Sequence, residues 1–257
     1  SHGILAARAE FFESRGCRLL GPSAEAIRLC SDKWETFRFL RLLRLPTIET
    51  QPLSRYRLAA FDEMDMNCEN GCVLKPRDGA GSQGMHRVDC ADAIEAYRTL
   101  LDTHRNSDVE YLLQPYIAGM SLSCSALFYS QEECDIFPIG RQYINVEKEF
   151  AYEGGELPVE PALAADVQAS ICRMIRTVCR NVPGLRGYVG FDLILPFQQP
   201  NDPLIVEINP RLTTSYLGYR QLTATNLAER MLERDDRLES LFWDCGKTIR
   251  FRPEAGL

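Results

Sequence analysis

Apolar residues along this chain fall into short runs separated by glycine, proline and clusters of polar residues. Runs with three- and four-residue spacing predict amphipathic helices, and runs that alternate with polar residues predict half-buried strands. The helical pattern covers 5–15, a short segment capped by Ser23, 32–43 with Ser31 as its predicted cap, 92–101, 164–181 and 218–242. The strand pattern covers 17–20, 45–50, 72–75, 85–88, 111–117, 121–129, 136–143, 187–195 and 204–209.

The order of these elements predicts an α+β fold. The strands 121–129 and 136–143 follow each other without the intervening helix that a strictly alternating parallel sheet requires. Residues 145–160 are rich in Glu and Gly and predict a long loop. With 257 residues, 45% hydrophobic and 25% charged, the chain is long enough for one large domain or two smaller ones.

The composition excludes several kinds of protein. A net charge of −7 and a pI near 5.2 argue against a general nucleic-acid-binding surface, which needs a basic face. No apolar run reaches about 18 residues, so no membrane span is predicted. The ten cysteines form no CxxC pair, and we interpret them as free thiols, with disulfides as the alternative. We therefore expect a cytoplasmic protein without a nucleic-acid or membrane partner.

The segment 204–211, LIVEINPR, places three polar side chains at the end of an apolar strand. Because side chains alternate along a strand, Glu207 and Asn209 are predicted on one face and Ile208 in the core, with Arg211 continuing the polar face. A carboxylate, an amide oxygen and a guanidinium together suit a hard cation bound to a phosphate. The alternative is a strand that simply ends in solvated polar residues.

A second carboxylate ends a similar apolar run fifteen residues earlier. Asp192 lies in the segment GYVGFDLIL, at 187–195. If the two runs form neighbouring antiparallel strands, Asp192 comes close to Glu207 and Asn209. The sequence therefore predicts a metal site made of Asp192, Glu207 and Asn209.

A glycine-rich loop, GAGSQG at 79–84, matches the pattern G-x-G-x-x-G. The dinucleotide-binding form of this pattern opens a helix, whereas the residues that follow here predict a strand. In protein kinases the lysine follows the loop, whereas here Lys75 precedes it. The remaining interpretation is a hairpin tip whose backbone N–H groups approach a phosphate, with Lys75 directed at the same anion. The alternative is a flexible turn beside a surface lysine.

The segment 112–119, LLQPYIAG, carries an apolar strand into a tight turn. An adenine ring needs one acceptor for its amino group and one donor for its ring nitrogen. The carbonyl of Pro115 and the N–H of Ile117 could supply them, with the Gln114 amide as a further acceptor. A strand that ends in an ordinary turn is the alternative.

The order and spacing of these motifs resemble the ATP-grasp superfamily over roughly residues 30–220. In chain order the motifs are Asp32-Lys33, Val73-Leu-Lys75-Pro, the glycine loop, Gln114–Ile117, Asp192 and Glu207-x-Asn209-x-Arg211. The resemblance implies an ATP-grasp fold, in which two α/β subdomains clasp ATP. Members usually begin with a Rossmann-like domain; since only 32 residues precede Lys33, we expect that domain to be short or missing here.

The resemblance also implies a role for each motif. Lys33 and Lys75 would hold the ATP phosphates, and the glycine loop, including Gly81 and Ser82, would close over them. The adenine would contact Gln114, Pro115 and Ile117. Asp192, Glu207 and Asn209 would bind one or two Mg²⁺ ions, with Mn²⁺ able to take their place. Arg211, together with Lys75, would stabilise the transferred phosphoryl group.

Two positions depart from the family pattern. Many members carry a ribose-binding glutamate where this chain has Ser121, which would make a weaker bond. Many amino-acid ligases carry an arginine where this chain has Gly190, so the acyl-phosphate would depend more on Arg211 and on cations from the segment 141–148. The implied domains are an N-terminal remnant at 1–50, a small subdomain at 51–117 and a large subdomain with the metal site at 118–257.

Within the superfamily, LGPS at 20–23 and EINPRLTTSY at 207–216 are similar to the tyramine–glutamate ligase group of methanofuran biosynthesis. The main functional hypothesis is an ATP-dependent carboxylate–amine ligase that forms an amide through an acyl-phosphate and releases ADP and phosphate. Its partners would be a small-molecule carboxylate and an amine, with a homodimer left open. The alternatives are a small-molecule kinase, a non-catalytic ATP-binding regulatory module, or an α/β domain without a nucleotide site.

Overall fold

The computed structural model describes residues 3–53, 69–79, 84–103, 109–159, 162–232 and 241–252. Its α-helices are α1 (Ile4–Glu13), α2 (Ala24–Ser31), α3 (Lys33–Leu42), α4 (Ala93–Thr103), α5 (Ala165–Asn181), α6 (Tyr216–Leu222) and α7 (Leu227–Leu232). Short 3₁₀ turns occupy Cys90–Asp92 and Val146–Lys148. Among the helices in these ranges, none has the length and apolar character needed to cross a membrane.

Two antiparallel sheets organise the described chain. The smaller contains β1 (Gln51–Leu53), β2 (Cys72–Pro76), β3 (His86–Val88) and β4 (Tyr111–Pro115), in the order β1-β4-β2-β3. The larger sheet contains β5 (Gly119–Phe128), β6 (Cys134–Ile136), β7 (Gly140–Asn145), β8 (Ala151–Leu157), β9 (Gly187–Pro196), β10 (Leu204–Asn209) and β11 (Ile249–Phe251). Its strand order is β10-β9-β5-β7-β8-β11, with β6 paired to β5.

The main hydrophobic core lies on one face of the larger sheet. Alternate residues of β5, among them Leu122 and Cys124, point to this face and pack with Ile171 and Ile175 of α5. Along α5 the apolar residues recur at helical spacing and are buried, as the sequence predicts. The residues of β5 in between include the serines Ser121, Ser123 and Ser125, and Ser121 lines the opposite, open face. Because the main core covers one face of the sheet, Ser121 and the other polar residues of these strands lie on the opposite face.

The smaller sheet has its own core. Leu74 of β2 and Leu113 of β4 pack with Ala93 and Tyr97 of α4. The two neighbours of Leu74 in the sequence, Val73 and Lys75, line a cleft instead.

The helices α2 and α3 pack into the main hydrophobic core, and one carboxylate adds polar contacts to this attachment. Asp32 caps α3 by accepting hydrogen bonds from the backbone N–H groups of Trp34 and Glu35. Its two oxygens also accept from Arg77, at 2.7 to 3.0 Å, and Arg77 contacts Glu110 at 2.8 Å. The sequence predicted Ser31 as the cap, but Ser31 is the last residue of α2 and Asp32 is the cap of α3. This tie holds Lys33 at the end of β2.

Several predicted elements differ in the structure. The segment 17–20 forms no strand, and in 45–50 only Thr47 makes a bridge, to Ile205. The strand predicted at 136–143 is two strands, β6 and β7, both paired with β5. The loop predicted at 145–160 contains β8, whose glycines Gly154 and Gly155 lie so close to β11 or β7 that a Cβ would collide with backbone oxygens there. The sequence did not predict β8 because glycines lack the β-branched side chains that are typical of a strand.

The C-terminal region also differs from its prediction. Within 218–242 the described helical residues belong to α6 and α7, residues 241 and 242 are not helical, and 233–240 lie outside the described residues.

We expect Arg77→Met to lower the free energy of unfolding by about 1–2 kcal/mol, because it leaves Asp32 and Glu110 without their shared partner. Urea denaturation measures this change. The control is Arg38→Met, which breaks an exposed pair with Glu35 within one helix and should cost less than about 0.5 kcal/mol. Equal effects of the two substitutions would show that the Asp32–Arg77 contact does not hold α3 in place.

Candidate active site

A cleft of about 340 Å³ lies between the two sheets and is lined by both. The smaller sheet contributes residues of β2 and β4, and the larger sheet contributes the face of β5, β7, β9 and β10 opposite to the main core. Of the predicted site residues, those that line the cleft are Lys33, Lys75, Gln114, Pro115, Ile117, Ser121, Asp192, Glu207, Asn209 and Arg211. The two others, Gly81 and Ser82, lie outside the described residues.

The register of β9 and β10 brings the two carboxylates together. The strands are antiparallel, with Glu207 opposite Asp192 and Asn209 opposite Gly190. Ile208 is buried in the core, as predicted.

A bulge between Ile205 and Glu207 shifts the register of β10. Strict alternation would put Ile205 on the same face as Glu207 and Asn209. In the structure Ile205 is fully buried in the core and Val206 lines the cleft. The extra residue therefore lets Ile205 and Ile208 both fill the core while Glu207 still faces the cleft.

A chain of hydrogen bonds fixes the orientation of the acidic group. Gln142 Nε2 donates to Asp192 Oδ1 at 2.8 Å, and Asn209 Nδ2 donates to Asp192 Oδ2 at 2.8 Å. Arg211 Nη2 in turn donates to Asn209 Oδ1 at 3.1 Å. The oxygen of the Asn209 amide is therefore directed to Arg211 and its nitrogen to Asp192.

The acidic pair has the electrostatics of a cation site. The pKa of Asp192 is raised to about 6, first by burial and then by the charge of Glu207, against the opposing effect of the bonds from Gln142 and Asn209. Two carboxylates and an amide oxygen form the donor set that Mg²⁺ prefers. The described residues contain no group of three or more His, Cys, Asp or Glu side chains suited to a metal. The donor set thus fits a hard cation that completes its shell with phosphate or water oxygens.

Two lysines face this acidic pair. Lys33 Nζ lies 3.5 Å from Glu207 Oε1 and donates to the carbonyl of Gly79 at 2.9 Å. Lys75 is only 2% exposed, and burial lowers its pKa to about 8, with the charge of Lys33 acting in the same direction. A buried ammonium beside a second cation is unfavourable unless an anion compensates it. Both lysines therefore suit a bound polyphosphate.

The ends of the glycine loop are described, although its middle is not. Gly79 and Gly84 have positive φ angles, +147° and +72°, which side chains rarely adopt. A Cβ at Gly84 would also press on the ring of Pro76, at 3.2 Å. The residues at the two ends of the loop therefore have backbone conformations that favour glycine.

Part of the cleft wall is apolar. Ile48, Val73, Ile144, Ile194 and Val206 line the cleft, and such surfaces suit the faces of a flat aromatic ring.

The predicted adenine contacts lie at the end of β4 and just beyond it. Pro115 and Ile117 line the cleft there. The Gln114 amide nitrogen donates to Thr50 Oγ1 at 2.7 Å. This bond sets the orientation of the Gln114 side chain, which is 7% exposed.

Of the two positions that depart from the family pattern, one lies in the cleft wall and the other behind the lining residue Thr213. Ser121 lines the cleft. A Cβ at Gly190 would collide with Thr213 Cγ2, so the threonine side chain fills the space where a side chain at 190 would begin. Thr213 is held there by a 3.0 Å hydrogen bond with the hydroxyl of Tyr188, which also donates to Ser125 Oγ at 2.8 Å.

Several lining residues were not predicted as site residues, among them Gln142, Phe150, Tyr152, Thr213, Thr214 and Ser215. Gln142 lies on β7, within the strand predicted at 136–143, whereas Phe150 and Tyr152 lie beside or in β8, where the sequence predicted a loop. Arg141 was predicted to supply a cation to the acyl-phosphate, but it alternates with Gln142 on β7 and does not line the cleft. Lys148 is exposed and does not line it either.

Comparison with known proteins agrees with this geometry. A family model described as the ATP-grasp domain matches residues 30–215. Tyramine–L-glutamate ligase of Methanocaldococcus fervens is 32% identical over 143 residues, which cover 54% of this chain and 43% of the relative. Tyramine–L-glutamate ligase of Methanocaldococcus jannaschii is 26% identical over 240 residues, which cover 93% of this chain and 61% of the relative. The chain thus spans about half the length of these curated relatives.

A solved structure shares the fold. Biotin carboxylase from Campylobacter jejuni, crystallised with β,γ-ATP, superposes with a TM-score of 0.77 at 17% identity, over 93% of this chain and 54% of that one. The similarity at this identity concerns the fold alone. Since the family model covers most of the chain and the structure has the same architecture, this α+β protein belongs to the ATP-grasp family.

Proposed function

We propose that this protein is an ATP-dependent carboxylate–amine ligase, which forms an amide through an acyl-phosphate and releases ADP and phosphate. The observation that carries the proposal is the placement of Lys33 and Lys75 in one cleft with Asp192, Glu207 and Asn209. A nucleotide, which has an aromatic ring and an anionic polyphosphate, matches a cleft lined by both apolar and charged side chains. The relatives named tyramine–L-glutamate ligase support the choice of reaction.

In this proposal Lys33 and Lys75 bind the phosphates of ATP. Lys33 exchanges its contacts with Glu207 and the Gly79 carbonyl for phosphate oxygens, and the buried Lys75, whose pKa is already supported by the charges of Glu207 and Asp192, gains a further anion. Gly81 and Ser82 contribute from the glycine loop. Gln114, Pro115 and Ile117 face the adenine ring, and Ser121 lies where the ribose would be.

Asp192, Glu207 and Asn209 would hold one or two Mg²⁺ ions, which neutralise phosphate charge when bound. Burial and mutual repulsion make the two carboxylates unfavourable without a cation, so the metal and the nucleotide would bind together. Gln142 and Asn209 keep Asp192 in a fixed orientation for this purpose.

The reaction needs no nucleophile from the protein. A substrate carboxylate oxygen attacks the γ-phosphorus, the bond to the β-phosphate oxygen breaks, and ADP leaves. The amine nitrogen then attacks the acyl carbon, the bond to the phosphate oxygen breaks, and the amine loses a proton. Lys75 and Arg211 stabilise the negative charge on the phosphoryl group, so catalysis is chiefly positioning and electrostatic stabilisation.

The first substrates to test are L-glutamate and tyramine, from the names of the relatives. The expected products are ADP, phosphate and an amide, formed only when acid and amine are both present. Phosphate release and mass spectrometry of the products measure this. A stable phosphorylated product without an amine requirement would indicate a kinase, and AMP with pyrophosphate would exclude the proposed reaction.

Arg211→Lys should lower kcat by about 10²-fold, because one donor to the developing charge is lost. The KM for ATP should change less than threefold, since the lysines that bind the phosphates remain. The control is Arg220→Lys on α6, an exposed residue that does not line the cleft and should leave kcat unchanged. Equal rates for wild type and Arg211→Lys would remove Arg211 from the proposed mechanism.

Nucleotide affinity should fall as pH rises above about 8. Lys75 has a pKa near 8 in the free protein, and a bound phosphate raises that pKa, so binding takes up a proton above pH 8. Linkage then weakens binding by up to about tenfold per pH unit. Titration calorimetry of ATP with constant Mg²⁺ between pH 7 and 9.5 measures this. Lys75→Met should bind more weakly at pH 7 and lose this pH dependence; a constant wild-type affinity would contradict the prediction.

Metal affinity should fall as pH drops below about 6, because a proton then competes with the cation for Asp192. We expect a loss of up to about tenfold per pH unit in the binding of Mn²⁺ in the presence of ATP. Asp192→Asn should bind Mn²⁺ at least about tenfold more weakly at pH 7 and without this pH dependence. Electron paramagnetic resonance of free Mn²⁺ gives both values. Full affinity in the variant would exclude Asp192 as a ligand.

A further inference from the structure

We infer that Gln142 is a positioning residue for the metal site: its side-chain amide holds the Asp192 carboxylate in the orientation that binds the cation. This inference rests on the proposed function, because it assigns a task to a residue of the same site. It concerns a side chain that neither the glycine loop nor the strand-end motifs include.

The topology of the sheet makes the contact unusual. Gln142 lies on β7 and Asp192 on β9, and β5 separates these strands. The β5 residue opposite Asp192 is Ser123, whose short side chain is turned to Ser215 Oγ at 3.3 Å. The longer Gln142 side chain therefore crosses one whole strand to reach Asp192 Oδ1 at 2.8 Å.

The chemistry of an amide suits this task. Asp192 receives one bond on each oxygen, from Gln142 on Oδ1 and from Asn209 on Oδ2. Each oxygen keeps a further lone pair for a cation, and the rotation of the carboxylate is blocked from both sides. A lysine or arginine in place of Gln142 would neutralise Asp192 and compete with the metal, whereas a glutamate would repel it.

A simple packing role is the competing explanation. Gln142 is half-buried and lines the cleft, so its replacement could disturb nucleotide binding in general. The two roles differ in what they affect: a positioning role changes metal affinity, and a packing role changes ATP binding with or without metal.

The test compares Gln142→Met with wild type in three measurements. Mn²⁺ binding in the presence of ATP is followed by electron paramagnetic resonance, ATP binding in EDTA by calorimetry, and folding by thermal denaturation. Methionine approximates the length of the side chain and removes the amide, including the N–H donor to Asp192. We expect about tenfold weaker Mn²⁺ binding, with the affinity for metal-free ATP and the melting temperature unchanged.

The control is Gln199→Met, which makes the same chemical change at an exposed turn between β9 and β10 and should match wild type in all three measurements. Unchanged Mn²⁺ affinity in Gln142→Met would overturn the inference and leave the proposed function intact. A parallel loss of metal-free ATP binding would also overturn it, in favour of packing. Failure of the wild type itself to bind Mn²⁺ with ATP would refute the proposed function and this inference together.

Discussion

The site depends on one electrostatic constraint: two carboxylates are held side by side on a sheet where water cannot fully screen them. The antiparallel register of β9 and β10 places Asp192 opposite Glu207, and the raised pKa of Asp192 reflects both burial and repulsion by Glu207. The chain offsets this cost with Lys33 at 3.5 Å from Glu207 and with amide donors to Asp192. The two carboxylates therefore still attract a divalent cation, and the buried Lys75 attracts an anion.

Hydrophobic packing elsewhere in the sheet offsets the unfavourable electrostatic energy of the site. The core side chains of β5, β9 and α5 are buried on the far face of the larger sheet. A second buried cluster includes Leu127, Tyr188 and Tyr219. Both clusters stabilise the sheet that carries the charged site. The hydrogen bonds from Arg77 to Asp32 also attach α3 at the end of β2. Lys33 follows Asp32 directly, so the residue that faces Glu207 is positioned by a bond made one residue earlier.

Much of this arrangement could be predicted from sequence because it depends on local rules. Alternation along a strand predicts that Glu207 and Asn209 share a face, and two polar strand ends with matching apolar runs predict that Asp192 joins them. The bulge at Val206 was not predictable from that rule, since it reflects the need to bury both Ile205 and Ile208. Ser31 and Asp32 are both good helix caps, and the contact with Arg77, distant in sequence, decides between them. Gln142 was missed because its task depends on a neighbour two strands away.

Gly190 of β9 is in close contact with Thr213, which lies in the segment that follows Arg211. A methyl group added at 190 has no room unless the threonine shortens or turns away, and turning it away breaks its bond with Tyr188. Evolution can therefore change these two positions only as a pair, or in an order that passes through a smaller residue at 213. Among descendants of such a chain, the identity of one residue should constrain the other even though 22 positions separate them along the sequence.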